Sequence, residues 1–312
     1  MTVETREKDV GRIVRVAGSM VSASGMIGVA MGEVVRVGKL ALLGEVIRID
    51  GDVIDAQVFE ETHGMYLDEP VVATGKPLSV ELGPGLLGAT FDGIQRPLTA
   101  LQQRSGDFIS RGLTVPALDR TCTWRFQPMV RVGMLVSGGD VLGTVREKHI
   151  EHRILVPPMV NGTIRTIVPE GDYRVDEVVA VLDDGTELTM LHVWPIKSPR
   201  PIARKLPVER PFLTGQRVLD CLFPIAAGGT AIVPGGFGTG KTVVEQTLAK
   251  YCNADIIVYV GCGERGNEMA DVLAEFPHLK DPKTGGALMD RTVLVVNTSN
   301  MPVAARDASV YT

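Results

Sequence analysis

Gly235-Gly-Phe-Gly-Thr-Gly-Lys-Thr242 constrains this chain more than any other stretch, because it fits the G-x-x-x-x-G-K-[ST] template of a phosphate-cradling loop. It follows the β-prone run Ala231-Ile-Val233 and precedes a segment with helical patterning, so strand, glycine loop and helix are expected in succession. Amides that turn inward around phosphate oxygens need backbone angles and a close approach that side chains would block, hence Gly235, Gly238 and Gly240. Lys241 supplies a cation for the β and γ phosphates and Thr242 a hydroxyl for Mg²⁺, while the helix that starts there adds the positive end of its dipole. The candidate nucleotide-contacting set is Gly235, Gly236, Phe237, Gly238, Thr239, Gly240, Lys241, Thr242 and Val243, with Thr242 the candidate metal ligand.

A second motif, Gly261-Cys-Gly-Glu-Arg-Gly266, follows the apolar run Ile256–Val260. A carboxylate at the C-terminal end of a strand beside the loop strand lies on the edge where open α/β sheets bind ligands. Glu264 is therefore placed to orient or deprotonate an attacking water, and Arg265 to hold that carboxylate or a phosphate. Taken alone, such a Glu-Arg pair reads as a solvated salt bridge; the upstream loop changes that. Lys241, Glu264 and Arg265 form the candidate catalytic set. The alternation of strand 229–233, helix 241–251, strand 255–260, helix 267–276 and strand 292–296 implies a parallel α/β sheet.

The preceding sequence is different. From Gly11 to about Val80, short β-rich segments (12–16, 33–37, 42–49, 53–58 and 70–73) are separated by turn residues, with Asp50-Gly51 the signal of a tight hairpin. Short strands at such spacing suggest a small closed barrel. Glu81-Leu-Gly-Pro-Gly-Leu-Leu-Gly88 marks a boundary, after which a second β-rich region has strands at 124–130, 141–145, 162–167 and 177–182 and hairpin turns at Ser137-Gly-Gly-Asp140 and Asp183-Asp-Gly185. The fold class is thus multidomain α+β and α/β. It comprises an N-terminal β-barrel (1–80), the start of a nucleotide-binding domain (81–112), an inserted β-rich domain (113–191) and the phosphate-loop domain (192–312).

Several features point away from other chemistries. Val178-Val-Ala-Val-Leu-Asp-Asp184 imitates a strand ending in a metal-binding Asp, but it lies upstream of the loop and reads as a hairpin turn. The five histidines show no metal spacing, and His149-Ile-Glu-His152 is expected to be a solvated loop. The four cysteines lack paired spacing and are expected to be reduced, buried thiols, Cys262 among them as packing. A net charge of −5 and 5% aromatic residues argue against a nucleic-acid-binding face. No apolar run is long enough to span a membrane, and the charged start Met1–Val10 indicates no leader, so a cytosolic location is expected.

Together these stretches resemble the catalytic A subunit of vacuolar and archaeal-type (V/A-type) rotary ATPases over nearly the whole chain. Beyond the loop, the resemblance rests on Gly83-Pro-Gly-Leu-Leu-Gly-Ala-Thr-Phe-Asp-Gly-Ile-Gln-Arg-Pro-Leu98, Trp194–Pro201, Leu213–Asp220 and Val260–Met269. It implies a barrel, a "bulge" insertion and an ATP/ADP- and Mg²⁺-binding domain, in a hexamer alternating with a B subunit that lends an arginine. It further implies central- and peripheral-stalk subunits, no nucleic acid, and membrane attachment only through the assembled complex, on its cytoplasmic face. ATP hydrolysis or synthesis would be coupled to proton or sodium transport, with Glu264 and Arg265 in the roles given above. Thr239 departs from many eukaryotic relatives, which carry Cys there, so redox control is not expected. The family continues past a segment like Ala304–Thr312 into a metal-linked Asp motif, an adenine pocket and a helical domain; this chain is expected to be either a fragment or an incomplete record, inactive alone if truly truncated. Related ring ATPases are the competing reading: an RNA helicase should present a basic, aromatic-bearing groove, and a protein-export ATPase should lack the insertion. A non-catalytic nucleotide-binding module is the other.

Overall fold

The computed structural model describes residues 10–236, 238–282 and 284–312. Six antiparallel strands, β1 (Val10–Ala17), β2 (Met20–Ser24), β3 (Glu33–Val37), β4 (Leu42–Asp50), β5 (Val53–Val58) and β6 (Pro70–Pro77), close into a barrel in the order β1-β2-β5-β4-β3-β6. Strict alternation builds it: along β5, Ile54, Ala56 and Val58 point inward and are fully buried, joining Val35, Val37, Leu42 and Val71. The Asp50-Gly51 turn joins β4 to β5 as expected, with Gly51 at φ 64°. β2 goes beyond the sequence expectation; it buries only Val21 and Ala23, and its serines dilute the hydrophobic signal.

After β7 (Ser79–Leu82), β8 (Thr90–Phe91) and helix α1 (Leu98–Ser105) comes the second β-rich region. Its strands are β9 (Thr123–Pro128), β10 (Leu135–Ser137), β11 (Val141–Glu147), β12 (Ile150–Leu155), β13 (Asn161–Ile167), β14 (Gly171–Arg174), β15 (Val178–Leu182) and β16 (Glu187–Thr189). They form two four-stranded sheets, β10-β13-β15-β16 and β12-β11-β9-β14, around Phe126, Leu142, Ile154, Ile164, Val179 and Leu182. Asp183-Asp-Gly185 is a hairpin turn between β15 and β16. Ser137–Asp140 is a turn too, but it carries the chain from one sheet to the other instead of closing a hairpin.

The expectation of a solvated loop at 149–152 is corrected: residues 150–152 belong to β12, paired with β11. His152 Nδ1 lies 2.6 Å from an oxygen of Glu147, which is 1% exposed; the other Glu147 oxygen accepts the amides of Gly85 (2.7 Å) and Leu87 (3.1 Å). At the hairpin tip, Lys148 and His149 reach Asp290 of the α/β region at 3.6 and 3.8 Å. β17 (His192–Pro195) then returns to pair antiparallel with β7, the strand that precedes β8 and α1.

A second small pair, β18 (Pro211–Phe212) and β19 (Ile225–Ala226), flanks α2 (Arg217–Leu222). Next come α3 (Lys241–Tyr251), β20 (Ile257–Glu264), α4 (Gly266–Glu275), β21 (Thr292–Thr298) and α5 (Val303–Ser309). β20, β21 and β8 make a parallel sheet in that order, over a core of Ile257, Met269, Val272, Phe276, Leu288 and Leu294. The expected strand at 229–233 is not formed: Ile232 is 85% exposed, and the segment has no ladder partner among the described residues. β-propensity cannot make a strand without a neighbour to pair with. β20 therefore adjoins β21, not the segment before the loop.

Candidate nucleotide site

Helix α3 starts at Lys241, directly after Gly240, which caps it in the left-handed region at φ 84°; Gly238 has φ 68°. Both angles favour glycine, which is why the loop has glycine there. Lys241 Nζ is held over the loop by donating to the carbonyls of Gly235 (2.5 Å) and Gly236 (2.9 Å), and Thr239 Oγ1 donates to Gly236 O at 2.9 Å. The free amides of the first helical turn and the Lys241 ammonium thus share one wall of a cavity of about 670 Å³.

The opposite wall comes from the end of β20. Register slips between Cys262 and Glu264, with Gly263 at φ 73°, and this bulge turns the strand so that Glu264 ends it on the cavity. Arg265 begins the turn into α4. Gly236, Gly238, Thr239, Gly240, Lys241, Thr242 and Val243 all line the same cavity as Glu264 and Arg265. Gly235 does not line it; it meets the site only through its carbonyl bond to Lys241. Phe237 lies outside the described residues.

Sequence reading did not single out the acidic lining. Glu245 lies one turn beyond Lys241 on α3, while Glu268, Asp271 and Glu275 repeat along one face of α4. The i, i+3, i+7 spacing of that trio was the available signal. Partial desolvation, then Glu264, push the Glu245 carboxyl up against the pull of Lys241. Burial first, then Glu245, Glu264 and Glu268, push the Tyr259 phenol up to about 12. A site crowded with carboxylates in this way favours cations or cation-bearing ligands. No group of three His, Cys, Asp or Glu among the described residues forms a metal cage.

Of the other thiols, Cys252 is buried but Cys122, Cys221 and Cys262 are exposed, which corrects the expectation of four buried thiols; all four are free. Cys262 does not pack inward but donates to the carbonyl of Arg306 at 3.3 Å. No helix among the described residues is long and apolar enough to cross a membrane.

A glycine loop opening a helix beside a parallel sheet, preceded by a barrel and a barrel-sandwich, defines a nucleotide-binding α/β class. Three models of one family match in succession: the ATP synthase alpha/beta family beta-barrel domain over residues 13–75, its alpha/beta subunit barrel-sandwich domain over 115–197 and its nucleotide-binding domain over 215–312. The chain belongs to the ATP synthase alpha/beta family. Within it, the chain is 59% identical over 303 residues to the V-type ATP synthase alpha chain of Anaeromyxobacter dehalogenans. It is 61% identical over 307 residues to the A subunit of the A-type ATP synthase of Thermococcus kodakarensis. Each match covers 97% of this chain and 52% of the relative, so the chain spans about half the length of the curated relatives it matches. The solved structure of the assembled ATPase EscN from the type III secretion system of enteropathogenic E. coli superposes with a TM-score of 0.54 at 22% identity. That match covers 96% of this chain and 51% of the other, and shows a shared fold.

Proposed function

We propose that the chain is the nucleotide-binding portion of the catalytic A-type subunit of a rotary ion-translocating ATPase or ATP synthase. The observation that carries this reading is the single cavity lined by both the phosphate loop and Glu264. Lys241 would release the Gly235 and Gly236 carbonyls to bind the β and γ phosphates of ATP, whose oxygens offer a stronger, charge-assisted contact. Thr242 would hold Mg²⁺, which supplies charge neutralisation at the phosphates when bound. Glu264 would accept a proton from the water that attacks the γ-phosphorus as the bond to the ADP oxygen breaks, and Arg265 would steady Glu264 or the phosphoryl group.

Identity near 60% with V-type and A-type subunits supports this reading over an RNA helicase, a protein-export ATPase or a non-catalytic module. The same relationship supports a ring alternating with a B subunit, joined to central and peripheral stalks and held at the cytoplasmic face of a membrane by the complex. The proposed division falls at residues 80, 112 and 191, with 113–191 the inserted bulge, and the beta-barrel and barrel-sandwich matches at 13–75 and 115–197 overlap the first and third of these spans. Lys241→Ala is the direct test: loss of the phosphate cation should weaken MgATP binding by about 1.5–3 kcal/mol. Unchanged affinity by calorimetry, in a variant whose circular dichroism matches the parent, removes the loop from the site.

A further inference from the structure

His192-Val-Trp194 opens β17, and the two-residue period of a strand puts the imidazole and the indole on one face with Val193 on the other. Arg200, from the turn that follows, covers that shared face. Its Nη1 lies 3.0 Å from His192 Nε2, and its guanidinium carbon sits 4.9 Å from the centre of the Trp194 ring. The Trp194 indole N–H donates to Ser198 O at 2.8 Å, which folds the turn back over the strand. Arginine has donors and no acceptor, so the contact with His192 needs a bare lone pair on Nε2 and a neutral ring with its proton on Nδ1. The indole holds the guanidinium from the other side through its quadrupole, and Trp is the best ring for that purpose.

Partial burial first, and then the Arg200 charge, hold the His192 imidazole below its ordinary value. The other charged groups around it are engaged elsewhere. On β7, Leu82 stands opposite His192, and Glu81, the next position, is tied to Arg120 and to the Leu118 amide. In the turn, Lys197 Nζ donates to both Glu45 oxygens of the barrel, at 2.6 and 2.7 Å. Arg200 is therefore the charge that acts on His192, and it pairs with no carboxylate among the described residues. A ring with a lowered value favours the folded arrangement when neutral. That contribution is whole above the ordinary imidazole value and is lost as pH falls through the lowered one. Protonation there removes the acceptor and leaves two cations in contact.

We propose that His192, Trp194 and Arg200 form an acid-sensitive clasp, in which a proton on His192 Nε2 expels Arg200 from the Trp194 face and releases the chain that follows. That chain, residues 201–210, is exposed throughout and belongs to no helix or strand. It leads from the β7–β17 pair to β18 and on to the phosphate-loop region, so the clasp sets how firmly one end of this connection is anchored. The Lys197–Glu45 contact contains no histidine and holds the start of the turn to the barrel, which confines the release to the chain beyond it. None of the three residues lines the phosphate-loop cavity, and the clasp does not rest on the function proposed above.

The test is an NMR titration of the full chain from about pH 8 to about pH 5, the range in which imidazoles change charge. It follows the His192 ring protons, the Trp194 indole N–H and the heteronuclear NOE of residues 202–205. The chain has two tryptophans, so Trp124→Phe assigns the indole signals. The Trp194 signal should shift with the same midpoint as the His192 ring, and the NOE at 202–205 should fall through it while the barrel amides stay fixed. In His192→Gln the side-chain oxygen can still accept from Arg200 but takes up no proton, so the Trp194 signal and the NOE should keep their neutral-pH values. In Arg200→Gln the His192 midpoint should rise above that of the parent, because a repelling charge is gone, and Trp194 should no longer follow it. If a variant does not fold, the parent titration decides: different midpoints for His192 and Trp194, or an unmoved Trp194, overturn the proposal. A Trp194 shift that survives in His192→Gln, an unchanged His192 midpoint in Arg200→Gln, or a flat NOE across the parent titration overturns it as well.

Discussion

At the scale of single residues, Glu264 is the position where chemistry and structure separate most cleanly. It ends a bulged strand on the wall facing Lys241, and its placement depends on Gly263 at φ 73°. In an assembled ring, Glu264→Gln should leave nucleotide affinity within a few-fold, because the amide keeps the shape and the carboxylate is proposed to face the attacking water and not to bond the phosphates. Hydrolysis should fall by about 10²–10⁴, since a neutral amide cannot accept the proton. If the side chain only makes a surface salt bridge, the same change costs ~0–1 kcal/mol of stability and leaves turnover nearly intact. Steady-state hydrolysis and a nucleotide titration on one preparation decide between them. Lys241 and Glu264 were legible because each sits in a motif of fixed spacing. Glu245 and Asp271 were not, for their significance comes from the other carboxylates that line the same cavity.

At the scale of elements, the strands that declared themselves were those with strict alternation and a forced turn. β5 and its Asp50-Gly51 hairpin need nothing beyond local sequence. β12 was misread because Glu151, His152 and Arg153 look solvated, and only the buried Glu147 on the neighbouring strand explains why His152 is held there. The expected strand before the phosphate loop failed for the converse reason: apolar residues were present and a partner was not. Gly143 of β11 is an element-level dependence that no turn rule reveals. A Cβ at that position would lie 2.4 Å from Phe126 Cε2 and 2.5 Å from Gln127 O, so β9 and β11 approach only across a bare backbone. Gly143→Ala should therefore destabilise the chain by about 1–3 kcal/mol through overpacking, read as a lower urea midpoint. MgATP affinity at temperatures where the variant stays folded should match the parent. A midpoint unchanged within error shows that the two strands have slack the geometry denies.

At the scale of the whole molecule, the barrel and the α/β region differ in how their backbone is secured. The barrel has no open strand edge, whereas residues 227–236, before the loop, carry no ladder and are almost wholly exposed. Amide exchange should accordingly be fastest through this segment and slowest in β3, β4 and β5. MgATP at a hundred times its dissociation constant should add about 2.7 kcal/mol to stability. Protection should rise around the loop and α3, with no change in the barrel. Stabilisation without new protection at residues 238–245 would place the nucleotide elsewhere.

The sequence by itself determined the order of architectures, two β-rich regions followed by alternating helix and strand, because periodicity, turn residues and the phosphate loop are local signals. It also determined the family, through motifs long enough to be specific. Only the tertiary structure decided which edges pair, that the 147–152 hairpin bridges the β-rich and α/β regions, and that Glu264 and the loop share one cavity. Those outcomes depend on neighbours far apart in the chain. Strand pairing and burial of a charge are properties of contacts, and a contact has no periodicity from which to read it.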